Sequence, residues 1–154
     1  MVIQFQVSFD IIVSCSPDTT LRIWNKYNGD CINILNGHTA AVWCVEFDYE
    51  KKLVFSGSDD STVHIWSSKT GKCLNVLNCY SEGYQLHYEI GSNRLICGSK
   101  NDIRIWNIDN YNCIKIISMN SEGVCEQLLY KDAENIIRLN FGSSIVSVFK
   151  ISNS

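Results

Sequence analysis

Ser56, His38 and Asp60 supply the residue types of a nucleophile, a base and an orienting acid within one short stretch of the chain. A trio of this kind cleaves acyl bonds when a strained turn exposes the serine. Here the serine stands in "VFSGSDD", without the Gly-x-Ser-x-Gly elbow that would present its hydroxyl. Metal chemistry finds no better support. His38, His64 and His87 lie in three separate segments, none with a Cys or His neighbour at ligand spacing, and no Cys-x-x-Cys pair occurs. His64, in the middle of "TVHIW", is expected to face solvent. No phosphate-cradling glycine loop is present, and the acidic residues are scattered through turn-like segments. The expectation is a chain that is not an enzyme, with no catalytic residue, metal or cofactor, whose polar trio is there for another reason.

That reason lies in the elements around it, which repeat. Trp24, Trp66 and Trp106 are 42 and 40 residues apart, and Phe149 follows 43 later. Seven residues after each tryptophan comes a cysteine, Cys31, Cys73 or Cys113, and Gly29 and Gly71 keep the same step. Each period reads as short strands rich in Val, Ile, Phe, Trp and Thr, separated by Asp, Asn, Ser and Gly. The second copy predicts strands at Val42–Phe47, Leu53–Ser58, Thr62–Trp66 and Cys73–Leu77. The first gives Val2–Phe5, Ile11–Cys15, Thr20–Trp24 and Cys31–Leu35; the third gives Tyr84–Glu89, Arg94–Ser99, Ile103–Trp106 and Cys113–Ile117. The fourth gives Val124–Tyr130, Asn135–Asn140 and Ile145–Lys150, making fifteen strands and no helix.

Four-stranded units at a period of about 40–45 residues are the signature of propeller blades. With Gly37-His38 followed by "SGSDDSTVHIW" at 56–66, and weaker copies "SCSPDTTLRIW" at 14–24 and "CGSKNDIRIW" at 97–106, the chain resembles the tryptophan–aspartate (WD) repeat family. The resemblance implies an all-β partial β-propeller of about four blades, at 1–35, 42–77, 83–117 and 124–154, the last blade incomplete. It also gives His38, Ser56, Asp60 and Trp66 a structural role, in which the acid and the serine bind the imidazole and the serine binds the indole. The first copy keeps Ser14, Asp18 and Trp24. The third has Cys79-Tyr80 in place of Gly37-His38, Cys97 in place of Ser56, and a shorter turn with Lys100 and Asn101.

Composition sets the outer bounds. The 154 residues are 45% apolar and 19% charged, with 13 Lys and Arg against 16 Asp and Glu, a net charge of -3. That balance fits one folded unit and excludes a disordered tail, and it is too acidic for a nucleic-acid binder. No apolar run approaches a membrane span, so no membrane partner is expected. The eight cysteines fall mostly in apolar runs, and no basic, apolar export leader opens the chain. Reduced, buried thiols in an intracellular protein, cytoplasmic or nuclear, are the expectation.

Four blades fall short of the seven that members of the resembled family usually have. The expectation is a partial ring, completed by further blades or by self-association. The resemblance implies a non-catalytic scaffold that binds protein partners at its loop rim, through Trp43 and Asp59, joined by Tyr80, Lys100 and Asn101. A narrower reading is the substrate receptor of a ubiquitin ligase, because 37–60 resembles blades of F-box/WD proteins and the third copy resembles propellers of RING/TRAF-type ligases. Phosphopeptide-reading receptors carry arginines where this chain has Trp43 and Asp59, which argues against phosphate recognition by this blade. A fragment without a function of its own is the third reading.

Overall fold

The computed structural model describes residues 4–7, 10–80, 85–99, 101–118, 127–131, 136–141 and 145–150. It is all-β, a partial β-propeller built from four antiparallel meanders. The first sheet holds β1 (Gln4–Val7), β2 (Ile11–Cys15), β3 (Leu21–Asn25) and β4 (Cys31–Leu35). The second holds β5 (Val42–Asp48), β6 (Leu53–Ser58), β7 (Thr62–Ser67) and β8 (Cys73–Asn78). The third holds β9 (Gln85–Glu89), β10 (Arg94–Gly98), β11 (Asp102–Asn107) and β12 (Cys113–Ser118). The last holds three strands, β13 (Gln127–Lys131), β14 (Ile136–Phe141) and β15 (Ile145–Lys150).

Strand positions follow the sequence reading closely, with one shift. The described part of the first strand is Gln4–Val7, which runs two residues past the expected Phe5 because its register pairs Gln4 with Cys15 and Val7 with Ile12. Val2, Tyr84, Val124 and Asn135, expected to begin strands, lie outside the described residues.

Turn chemistry explains why the strands end where they do. After β3, the Asn25 side chain accepts from the amides of Tyr27 and Asn28, and Gly29 turns with φ of +76°. Gly71 repeats that conformation at +71°, a region glycine enters without a Cβ clash. In the third sheet Tyr111 holds the equivalent place at +59°. After β6, the Asp60 carboxylate accepts from the Thr62 amide, shaping the turn around Ser61, whose φ is +67°.

The inner strands touch in the order β1, β5, β9 and β13, so the sheets stand side by side along an arc. Each joint is an apolar cluster. Val13, Cys15, Leu21, Ile23 and Leu35 of the first sheet cover Val45, Val54 and Trp66 of the second. Phe55, Val63, Ile65 and Leu77 of the second cover Leu86, Tyr88, Leu95 and Trp106 of the third, and the rings of Phe55 and Tyr88 stack at 4.6 Å. Blades in the middle of the arc are therefore buried on both faces, which is why Val63 and Ile65 on one side and His64 and Trp66 on the other are all buried.

Among the described residues the cysteines divide by position, and Cys125 lies outside them. Cys15, Cys44, Cys79 and Cys97 are buried free thiols near the joints, as small hydrophobes would be. Cys31, Cys73 and Cys113 begin the outermost strands and are exposed, against the expectation of burial. Along β4 and β8 the residues go from exposed at Cys31 and Cys73 to buried at Leu35 and Leu77, so the start of each outer strand lies at the uncovered margin of the joint.

Candidate functional site

The polar trio of the sequence meets in the second sheet. Ser56 lies on β6, Asp60 on the turn after it, and His38 on the segment leading into β5. Gly37 lets that segment in close: a Cβ there would stand 3.0 Å from Cη2 of Trp66. His38 Nδ1 is 2.7 Å from Asp60 Oδ2, and His38 Nε2 is 2.8 Å from Ser56 Oγ. The indole N–H of Trp66 donates to that same Oγ at 2.8 Å.

The direction of each bond follows from the carboxylate. Burial pushes the Asp60 carboxyl up, but the Thr62 hydroxyl, the Thr39 amide and the His38 ring outweigh it and hold it at about 2. As an anion it only accepts, so His38 donates from Nδ1 and accepts at Nε2 from the Ser56 hydroxyl. Protons therefore point one way, from Trp66 through Ser56 and His38 to Asp60. Burial keeps the His38 ring below its ordinary range, with Asp60 pulling in the other direction.

This is the connectivity of a hydrolytic relay, placed where a substrate has no access. Ser56 and His38 are both buried, and the serine oxygen already accepts from an indole. The arrangement ties a loop to two strands and leaves no buried group unpaired.

His64 is the residue the sequence misplaced. Only 7% exposed, it stacks on His38 with ring centroids 3.8 Å apart, and burial and the neighbouring ring push it down to about 4. The physical reason is register. Ser56 pairs with His64, so both share the face that His38 and the first sheet cover. As a result, ligand atoms of His38, Asp60 and His64 lie within 4.8 Å of one another, a grouping invisible to sequence spacing. Their geometry suits hydrogen bonding better than an ion: both His38 nitrogens are engaged, and stacked rings aim their in-plane lone pairs side by side rather than at one point.

The other sheets keep parts of the network. In the first, Trp24 Nε1 donates to Ser14 Oγ at 2.9 Å, while Asp18 accepts locally from the Thr20 amide and hydroxyl. In the third, Cys97 takes the register position of Ser56, and the Trp106 indole N–H has no partner. Tyr80 turns outward, 76% exposed, with the Arg104 guanidinium 5.1 Å from its ring centre. Arg104 is in turn held by Asp102 at 2.8 Å.

The rim candidates share one edge of the arc. Trp43 sits at the start of β5, where the register slips between Val42 and Cys44, and is 40% exposed. Asp59 follows β6 and donates its amide to Ala41. Tyr80 follows β8, and Asn101, exposed, precedes β11. Lys100 lies outside the described residues. A further polar pair escaped the sequence: Gln6 Nε2 on β1 donates to Glu46 Oε2 on β5 at 3.3 Å, and burial raises that carboxyl to about 7.

Among the described residues, no helix is long and apolar enough to cross a membrane. The family model described as "WD domain, G-beta repeat" matches residues 3–25 and 29–67. Subunit I of eukaryotic translation initiation factor 3 is 34% identical over 50 residues in Xenopus laevis and 36% identical over 50 residues in Danio rerio. Each match covers 32% of this chain and 15% of the relative, so the similarity spans a small part of those proteins. Among solved structures, the computationally designed Ika4 protein superposes with a TM-score of 0.83 at 24% identity, covering 99% of this chain and 92% of that one. The designed Ika8 protein gives 0.83 at 25% identity, covering 97% of this chain and 46% of that one. The serine–tryptophan bond recurs in the two sheets that the WD-repeat model covers, and the four meanders together share the fold of the designed Ika4 and Ika8 proteins, so the chain is similar to the WD-repeat family over its first two sheets.

Proposed function

We propose that the chain is a non-catalytic protein-interaction scaffold whose contact surface is the rim carrying Trp43, Asp59, Tyr80 and Asn101. The observation that carries this is Trp43, a large aromatic held 40% exposed on a bulged strand whose two neighbours, Val42 and Cys44, are buried. A bulge re-aims a side chain at a fixed point, and an aromatic presented on a rigid strand is the kind of anchor that dominates protein interfaces. The His38 relay supports the same reading, because it fixes the loop entering β5. The relatives are named as a subunit of a larger factor, in keeping with a place in a multi-subunit assembly inside the cell. Their name gives no support to the ligase reading, which rests on the resemblances of 37–60 and of the third copy alone.

Affinity capture with the folded protein tests it. Trp43→Ala and Tyr80→Ala are expected to lose one common set of bound proteins. Tyr27→Ala, at an exposed residue on the opposite rim, is expected to keep it. A set retained equally by all three variants removes the rim from consideration.

A further inference from the structure

Backbone bonds stitch four stretches of one rim into a continuous edge. Val42 donates its amide to Ser16 at 3.2 Å, Asp59 to Ala41 at 3.0 Å, and Cys79 to Ser61 at 2.9 Å. Asp18, Trp43, Asp59 and Tyr80 are thereby carried on neighbouring segments, each tied to the next. The described turns of this rim hold carboxylates and no lysine. Asp18 is exposed, Asp60 is committed to His38, Thr39 and Thr62, and the Asp59 carboxylate meets no donor among the described residues. Lys26, Lys51, Lys52, Lys69 and Lys72 stand in turns at the opposite ends of the strands. Arg22 and Arg104, on strands that leave this rim, already lie over Trp24 and Tyr80.

The third sheet shows how a cation is held at this rim. Arg104 lies 5.1 Å from the Tyr80 ring centre, and its Nε and Nη2 donate to Asp102 Oδ2 at 3.1 and 2.8 Å. An aromatic face beside a carboxylate grips a guanidinium from two sides. Trp43 and Asp59 supply the same two groups in the second sheet. Trp43 stands two residues past Ala41, whose carbonyl takes the Asp59 amide, and among the described residues no arginine or lysine lies over the Trp43 ring. Building on the rim reading above, we infer that the rim takes a basic segment of its protein partner, an arginine or lysine lying over Trp43 and donating to Asp59.

Charge selects this partner over the alternatives. An acidic or phosphate-bearing segment would meet Asp18 and Asp59 with no unpaired cation in the described turns to receive it. A wholly apolar segment could pack on Trp43, but it would strip water from the Asp59 carboxylate and return no hydrogen bond. A basic side chain answers both groups: its stem or guanidinium plane covers the indole while its N–H groups reach the carboxylate. Asp18, on the adjoining turn, extends the same preference to a second basic residue of the segment.

Fluorescence anisotropy of a labelled hexa-arginine peptide, titrated with the 154-residue chain at low salt, provides the test. Saturable binding is expected, with none to hexa-glutamate. Trp43→Ala and Asp59→Asn should each weaken it about five- to tenfold. Glu50→Gln removes the same charge from an exposed residue of the opposite rim and should change it less than about twofold. Circular dichroism checks that each variant is folded, and should Trp43→Ala unfold, Asp59→Asn carries the expectation alone. Absence of saturable binding overturns the basic partner, as does an equal loss in Asp59→Asn and Glu50→Gln, which would mark a response to net charge only. The two readings separate in the capture experiment. Bound proteins lost in Trp43→Ala, beside hexa-arginine binding indifferent to Asp59→Asn, keep the rim and remove the basic partner. Bound proteins retained in Trp43→Ala and Tyr80→Ala remove the rim, and the basic partner with it.

Discussion

The indole N–H of Trp66 donates to the hydroxyl of Ser56 at 2.8 Å, and two sheets keep this bond while a third has lost it. Trp106 is the tryptophan without a partner, because the position of Ser56 is taken by Cys97. A thiol is a poor acceptor, and a buried N–H left unpaired costs the desolvation of that group. Cys97→Ser should return an acceptor and raise stability by about 0.5–1.5 kcal/mol, measured as a shift in urea midpoint at constant slope. A loss of stability would mean that the thiol contributes more by packing against Cys79 than the hydroxyl restores.

Ser56→Ala acts in the opposite sense. It strands the Trp66 donor and the His38 acceptor together in a buried site, so the expected cost is about 2–4 kcal/mol. Ser14→Ala strands one indole at the half-buried Trp24, and water reaches it, so about 1 kcal/mol or less is expected. Equal losses at the two serines would contradict the ranking.

The buried His64 and the half-buried Glu46 give stability opposite slopes in pH. His64 has a folded value near 4 against 6.5, so its contribution is complete above 6.5 and is lost as pH falls towards 4. Glu46 is raised from 4.5 to about 7, so its contribution is complete below 4.5 and is lost as pH rises towards 7. The unmodified chain should show a shallow Tm profile across this window. His64→Gln should uncover a fall with rising pH, and Glu46→Gln a fall with falling pH. Parallel profiles for the two variants would exclude opposed titrations.

At the rim, Trp43→Ala should change thermal stability little, within about 0.5 kcal/mol, because the side chain is well exposed and its strand neighbours Val42 and Cys44 carry the burial. A large loss would identify Trp43 as a packing residue and weaken its role as an anchor. The comparison needs only a melt beside the capture experiment.

The repeat was legible in the residues because it is periodic and local. Tryptophans 42 and 40 residues apart, alternating apolar runs and Asn, Asp and Gly at the turns place fifteen strands within about three residues. The bond between Ser56 and Trp66 is implied by the resemblance to WD repeats, and the hairpin of β6 and β7 that makes it possible puts the two on adjacent strands. The tertiary structure decided what covers each face. Alternation assigns His64 to one side of β7 but cannot say that the first sheet and the His38 ring lie over it. For the same reason Glu46 meets Gln6, and Cys31, Cys73 and Cys113 remain exposed in apolar runs. Burial depends on the neighbouring sheet, and in a propeller that neighbour lies about forty residues away, beyond the reach of any local pattern.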